Sequence, residues 1–175
     1  MPRKFILICP AGNEAEAKKH IPDIVDGKVS APSKRVIGTA FMALGYVNEQ
    51  QLDGVIDALD YADEGIFDRL LAANGNTSLG TLYRAGGALP LGEYGRKALE
   101  TLQELASENR WVDILIFCET GLLQAIVYAA IGEEHPHVKR VMGAILDPGD
   151  GFEVAFTDEW RALDATQLSK ATVTV

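Results

Sequence analysis

Two short apolar runs, far apart in the chain, constrain its fold more than anything else in the sequence. Phe5-Ile6-Leu7-Ile8-Cys9 runs into Pro10-Ala11-Gly12-Asn13, and Ile114-Leu115-Ile116-Phe117-Cys118 runs into Glu119-Thr120-Gly121. Short, β-branched runs of this kind bounded by turn residues read as buried strands. In an open α/β protein, ligands sit beyond the carboxyl ends of parallel strands. These two turns therefore frame the expected site, and the residues filling them decide what chemistry it can do.

The remaining pattern supports the same class. Gly27–Ser30 reads as a second short strand, and Pro32 as first-turn proline of a helix carrying Val36, Ile37, Ala40, Phe41 and Leu44 up to Gly45. From Asn48 to about Ala73 the spacing predicts helix in two pieces. Leu52, Val55, Ile56 and Leu59 supply the buried stripe of the first, and Ile66, Leu70 and Leu71 that of the second. Asn74-Gly75-Asn76 breaks the chain, Thr77–Arg84 reads as a short helix ended by Gly86-Gly87, and Arg96–Glu108 as an amphipathic helix. A strand over 112–118, a helix over 121–132, a strand over 138–146 and a hairpin partner at Phe152–Phe156 complete the expectation, with the tail around Trp160 unassigned. Strands alternating with helices imply a three-layer α/β domain: a mostly parallel sheet, helices on both faces and a C-terminal antiparallel hairpin. No repeat or linker divides the chain, so residues 1–175 read as a single domain.

Composition narrows the function. A net charge of −9 and the absence of a Lys/Arg cluster argue against nucleic acid, which needs clustered cations to displace counterions. Val138-Lys139-Arg140 is the nearest approach and reads as a solvated strand edge. The first apolar run is shorter than the ~7–15 residues of a signal-peptide core. Ile114–Ile131 is interrupted by Glu119, Thr120 and Gly121, short of the ~20 apolar residues of a membrane span. Two cysteines without a secretion signal suit a reducing, cytoplasmic setting.

The order of these pieces resembles the histidine phosphatase superfamily, which includes the phosphoglycerate mutases. In that family the first strand ends in Arg-His-Gly, whose His accepts the phosphoryl group; a middle segment reads Ser-Pro-x-x-Arg-Ala-x-x-Thr-Ala; and a later strand ends in Ser-His-Gly-Gly. Here Pro32, Arg35, Thr39 and Ala40 keep the middle motif, with Ala31 and Val36 at its Ser and first Ala positions. The resemblance implies a phosphoglycerate mutase-like fold and a pocket formed by Ala11, Gly12, Arg35, Glu119, Thr120 and Gly121. It also implies a loss. Pro10 stands at the first Arg, Ala11 at the nucleophilic His and Glu119 at the second His, so only Arg35 remains of four positions. A methyl group cannot take a phosphoryl group. A carboxylate within ~4–6 Å of a bound phosphate repels it. The family's general acid has no clear counterpart among Asp57, Asp60, Asp63 and Glu64.

The resemblance thus implies a degenerate member acting by binding, to a small polar ligand or a protein partner, with no cofactor or metal required. Homodimerisation is common among such domains, though no exposed stripe marks an interface. Two alternatives stay open: an enzyme of different chemistry using Cys118 and Glu119 with Arg35, and residual anion binding through Arg35 and the amides of Gly12 and Gly121. Arg35 is expected to pair with Glu119, since a buried charge needs a partner. Cys118 is either a nucleophile before a Gly-led helix or a small apolar residue closing a strand, and with Cys9 it could form a redox or soft-metal pair. His135 and His137 flank Pro136 in a polar loop that could bind metal, His20 has no evident partner, and Tyr83-Arg84 could line the pocket mouth. The acidic run from Asp53 to Asp68 reads as a solvated helix face.

Overall fold

The computed structural model describes residues 2–61 and 65–169, apart from the Ile66 side chain. One six-stranded sheet organises the chain. Its strands are β1 (Arg3–Ile8), β2 (Gly27–Ser30), β3 (Gly54–Val55), β4 (Asp113–Phe117), β5 (Gly151–Phe156) and β6 (Ala162–Leu168), in the spatial order β3-β2-β4-β1-β5-β6. The first four are mutually parallel, and β5 and β6 are antiparallel additions. The helices are α1 (Glu14–Lys18), α2 (Lys34–Leu44), α3 (Ile66–Asn74), α4 (Leu79–Leu82), α5 (Ala88–Asn109), α6 (Leu122–Ile131) and α7 (Val138–Gly143).

The two runs that define the sequence occupy the centre of this sheet. Phe5, Leu7, Ile8, Ile114, Leu115, Ile116 and Phe117 are fully buried, as strands covered by helices on both faces must be. Each such side chain stabilises the fold by roughly 1.5–3 kcal/mol relative to exposure. The β1–β4 register sets Ile8 beside Phe117, and β2 sets Ser30 beside Phe117. Cys118 N–H donates to the Ile8 carbonyl at 3.1 Å and Ala31 N–H to that of Phe117 at 2.9 Å. Three carboxyl ends thus finish at one level, and the turns after them meet.

Several local expectations are corrected. Residues 48–59 form no α-helix. Gly54 disfavours one, and the outer edge of β2 offers stronger pairing: Asp53 N–H donates to Lys28 O and Ile56 N–H to Ser30 O, both at 2.8 Å. The result is β3 between single 3-10 turns at Glu49–Gln51 and Asp57–Leu59. The segment 138–146 is not a strand either. Val138–Gly143 is helical, with Val141 buried, and Lys139-Arg140 lies on α7 rather than a strand edge. The hairpin partner of β5 is β6, joined through Thr157–Arg161, whose N–H···O bond closes at 2.8 Å. The expected pairing of Phe152–Phe156 with 138–146 is therefore absent, and residues 147–150 form the loop before β5. Gly86 does end the short helix, its φ of +105 making a kink after which α5 begins, earlier than the periodicity implies. Pro32 precedes the helix rather than entering it. Ser33 caps α2, its Oγ accepting from Val36 N–H.

Candidate functional site

The floor of the site is made by the turns after β1, β2 and β4. Pro10, Thr120 and Gly121 from these ends face Leu71 of α3 and Leu82 of α4, with Leu146 and Pro148 from the loop after α7, around a cavity of about 290 Å³. Arg35, one residue into α2, is the cavity's one charged lining residue among the described residues. Of the residues expected to form the pocket, Arg35, Thr120 and Gly121 line this cavity, while Ala11, Gly12 and Glu119 do not. Glu119 lies on the other side of Arg35, where Ser33, Asp60 and both of these residues line a second depression.

Arg35 Nη2 donates to Glu119 Oε2 at 2.5 Å, and Ser33 Oγ donates to Glu119 Oε1 at 3.1 Å. The environment of this pair differs from expectation. The Arg35 side chain is 65% exposed and that of Glu119 is 18% exposed, so the contact lies at the rim and is largely solvated. Its stabilising effect belongs to the surface class, at most about 1 kcal/mol. Its chemical effect is larger, since it turns the guanidinium toward a carboxylate.

The backbone donors of the strand ends are also occupied. Ala11 N–H donates to Thr39 Oγ1 at 3.0 Å, tying the end of β1 to α2. Gly12 N–H donates to Glu16 Oε1 at 3.1 Å. Gly121 N–H donates to Gln124 Oε1 at 2.7 Å, and Gln124 Nε2 donates onward to the Ala144 carbonyl at 2.9 Å. Gln124 is fully buried, so this is an internal support and not a surface contact. Gly121 itself has φ +88, and a Cβ there would stand 3.0 Å from the Phe67 ring; only glycine fits the turn. Residual anion binding required Arg35 and the amides of Gly12 and Gly121, and each already has a protein acceptor.

Sequence reasoning missed Glu16 and Gln124. Their signal was spacing: each stands three or four residues after the glycine whose amide it caps, and Gly121-x-x-Gln124 has the spacing of a capping box.

The loop 147–150 holds the β1 turn from the other side. Cys9 N–H donates to Asp150 O at 2.9 Å, Gly149 N–H to Pro10 O at 3.1 Å, and the Cys9 thiol to Asp147 O at 3.2 Å. A Cβ on Gly149 would meet Glu16 O at 2.1 Å, which forces glycine there. Asp150, 2% exposed, takes Lys19 Nζ at 2.8 Å and His20 Nε2 at 3.2 Å. His20 therefore does have a partner.

Cys118 is placed against its role as a nucleophile. It is fully buried, its Sγ 3.5 Å from the Tyr94 hydroxyl and directed at the Leu59 carbonyl. Burial pushes its thiol up to about 12, the opposite of what a thiolate needs. Tyr94, donating to Leu59 O at 2.7 Å, is likewise held far above the ordinary phenol range by burial. Cys9 and Cys118 follow neighbouring strands yet serve different partners, and both are free thiols.

The remaining candidates fall elsewhere. His137 Nδ1 lies 2.6 Å from Asp164, whose carboxyl it holds below the usual range, and His135 Nε2 lies 3.2 Å from Leu163 O, so both histidines fasten the sheet's edge strand. No group of three or more His, Cys, Asp or Glu arranged for a metal occurs among the described residues. Tyr83 packs edge-on against Tyr128 with ring centroids 5.5 Å apart, Arg84 bonds Thr81, and neither is among the residues lining the cavity. Asp60 borders the second depression and Asp57 a groove beside Tyr61; Asp63 and Glu64 lie outside the described residues. Asp53 is not merely solvated, since Oδ2 accepts Lys28 N–H at 2.8 Å. No helix among the described residues is long and apolar enough to cross a membrane.

With this geometry, comparison with solved structures is decisive for architecture. The phosphoglycerate mutase of Bacillus anthracis str. Sterne superposes with a TM-score of 0.57, covering 97% of this chain and 92% of its own at 12% identity. The phosphoserine phosphatase of Entamoeba histolytica, solved with 3-phosphoglyceric acid, gives 0.59 over 95% and 97% at 11% identity. The fold is phosphoglycerate mutase-like. The alpha-ribazole phosphatase of Shigella flexneri agrees, at 0.56 over 100% and 99% of the two chains and 13% identity. Neither a protein-family model nor a curated protein sequence matches the chain. The likeness therefore lies in the arrangement of elements, at an identity that carries fold and no more.

Proposed function

We propose that this chain is a catalytically degenerate form of the phosphoglycerate mutase-like fold, acting by binding and not by phosphoryl transfer. The observation that carries this reading is the capture of the strand-end donors. A phosphoryl-transfer site needs positive charge and free N–H groups aimed at the phosphate oxygens. Here Gly12 N–H is bound by Glu16, Gly121 N–H by Gln124, and Arg35 by Glu119. Ala11, at the position that the resemblance assigns to the nucleophile, offers only a methyl group.

What survives is a cavity at the strand ends, in which a small ligand is the first form of the reading. A protein partner or a second copy of the chain is its other form, in a cytoplasmic setting, and the net charge of −9 sets it against polyanions. A redirected enzyme using Cys118 has no support from its buried, protonated thiol.

The direct test is turnover of 4-nitrophenyl phosphate by the wild-type chain and by the triple variant Pro10→Arg, Ala11→His, Glu119→His. No turnover by the wild type is expected. Turnover comparable to an active phosphatase would overturn the reading, and any gain in the triple variant would show that the scaffold still supports the lost chemistry.

A further inference from the structure

Resting on the degenerate reading, we infer that the strand-end cavity takes an uncharged molecule with an apolar, single-ring-sized body and one hydrogen-bond donor. Its walls are apolar: Pro10, Leu71, Leu82, Leu146 and Pro148. Its volume of about 290 Å³ is roughly twice the ~150 Å³ of an apolar cavity that accepts benzene, leaving room for a ring and one polar substituent. Arg35, its one charged lining residue among the described residues, already donates Nη2 to Glu119. Glu119 partly neutralises the one cation that an anion entering here would meet among the described residues. A cation would lie beside Arg35 without its own counter-ion.

The polar group of the ligand is set by Asn76. Asn76 lines the cavity, and because its Nδ2 donates to the Leu146 carbonyl at 3.2 Å, its other amide atom is Oδ1, an acceptor. Thr77 and Thr120 line the same cavity, with hydroxyls that can either donate or accept. A hydroxyl or amide N–H on the ligand matches this set, and a carboxylate or phosphate does not.

The test is amide NMR of the wild-type chain titrated separately with 4-nitrobenzyl alcohol, 4-nitrotoluene and 4-nitrophenyl phosphate. The alcohol is expected to shift the amides of Thr77, Thr120 and Leu146 and to bind about fivefold tighter than 4-nitrotoluene, the factor one neutral hydrogen bond carries. That advantage should vanish in Asn76→Ala, and Leu71→Phe, which fills the cavity, should abolish binding of both. If none of the probes shifts these amides, or the alcohol shifts only others, the ligand class is wrong while the loss of phosphoryl chemistry stands. If the phosphate ester binds at these residues as well as the alcohol, both fail, because the donors would then be open to anions.

Discussion

The ends of β1 and β4 perform the same task in opposite surroundings. Each presents a glycine amide at the carboxyl edge of a parallel sheet, and each caps it with a side chain from the helix that follows. At β1 the cap is the charged, half-buried Glu16 on an exposed glycine. At β4 it is the neutral, fully buried Gln124, which passes the bond on to Ala144. Both remove a donor that an anion could use, but only one is built into the core. The first end is closed by electrostatics that salt and substitution can reopen. The second is closed by packing and reopens only with loss of fold.

The largest effect should therefore come from Gln124. Gln124→Ala leaves Gly121 N–H and Ala144 O buried without partners, a loss of about 2–5 kcal/mol in urea unfolding at the usual value for each orphaned group. A loss below about 1 kcal/mol would break the contrast, since it would mean water already reaches the second end.

Next comes pH. Burial raises the Cys118 thiol to about 12, so above roughly pH 8.5 the unfolded chain loses a proton that the folded chain keeps. The unfolded state then binds fewer protons, and stability falls as pH rises across that window, by at most about 1.4 kcal/mol per unit. The alkaline slope should be shallower in Cys118→Ala, and the wild-type Cys118 should resist alkylation at pH 7 until the chain unfolds. Rapid labelling in the folded state would contradict its burial.

Glu119→Gln should change stability by less than about 1 kcal/mol, because its partner is mostly solvated. Smallest of all, Glu16→Ala should cost under about 0.5 kcal/mol in the same unfolding measurement. It should nevertheless speed hydrogen exchange at Gly12 while leaving Gly121 protected. Equal acceleration at both would erase the difference between the two ends.

The contrast also explains what the sequence disclosed. β1 and β4 were legible because uninterrupted runs such as Ile114-Leu115-Ile116-Phe117 have few alternatives to a strand buried on both faces. β6 was not, since Ala162–Leu168 is an edge strand in which only Ala165 is buried. α7 misled because its β-branched Val138 and Val141 favour a strand by residue type, while their spacing of three is helical. β3 depended on the free edge of β2, a partner that local spacing does not report. In the site, the Arg35–Glu119 contact followed from two motif positions. Its solvation did not, because exposure depends on how α2 sits over the sheet. The caps Glu16 and Gln124 were written in short spacings that resemble ordinary helix starts.

The most direct measurement is thermal unfolding in sodium phosphate against sodium chloride at matched ionic strength, for the wild type and the double variant Glu16→Ala, Glu119→Ala. With its donors internally satisfied, the wild type should melt at the same temperature in both salts, while the double variant, with the acceptors of Arg35 and Gly12 N–H removed, should gain stability in phosphate. A wild-type chain stabilised by phosphate, with that gain lost in Arg35→Ala, would show the anion site to be open and contradict its closure.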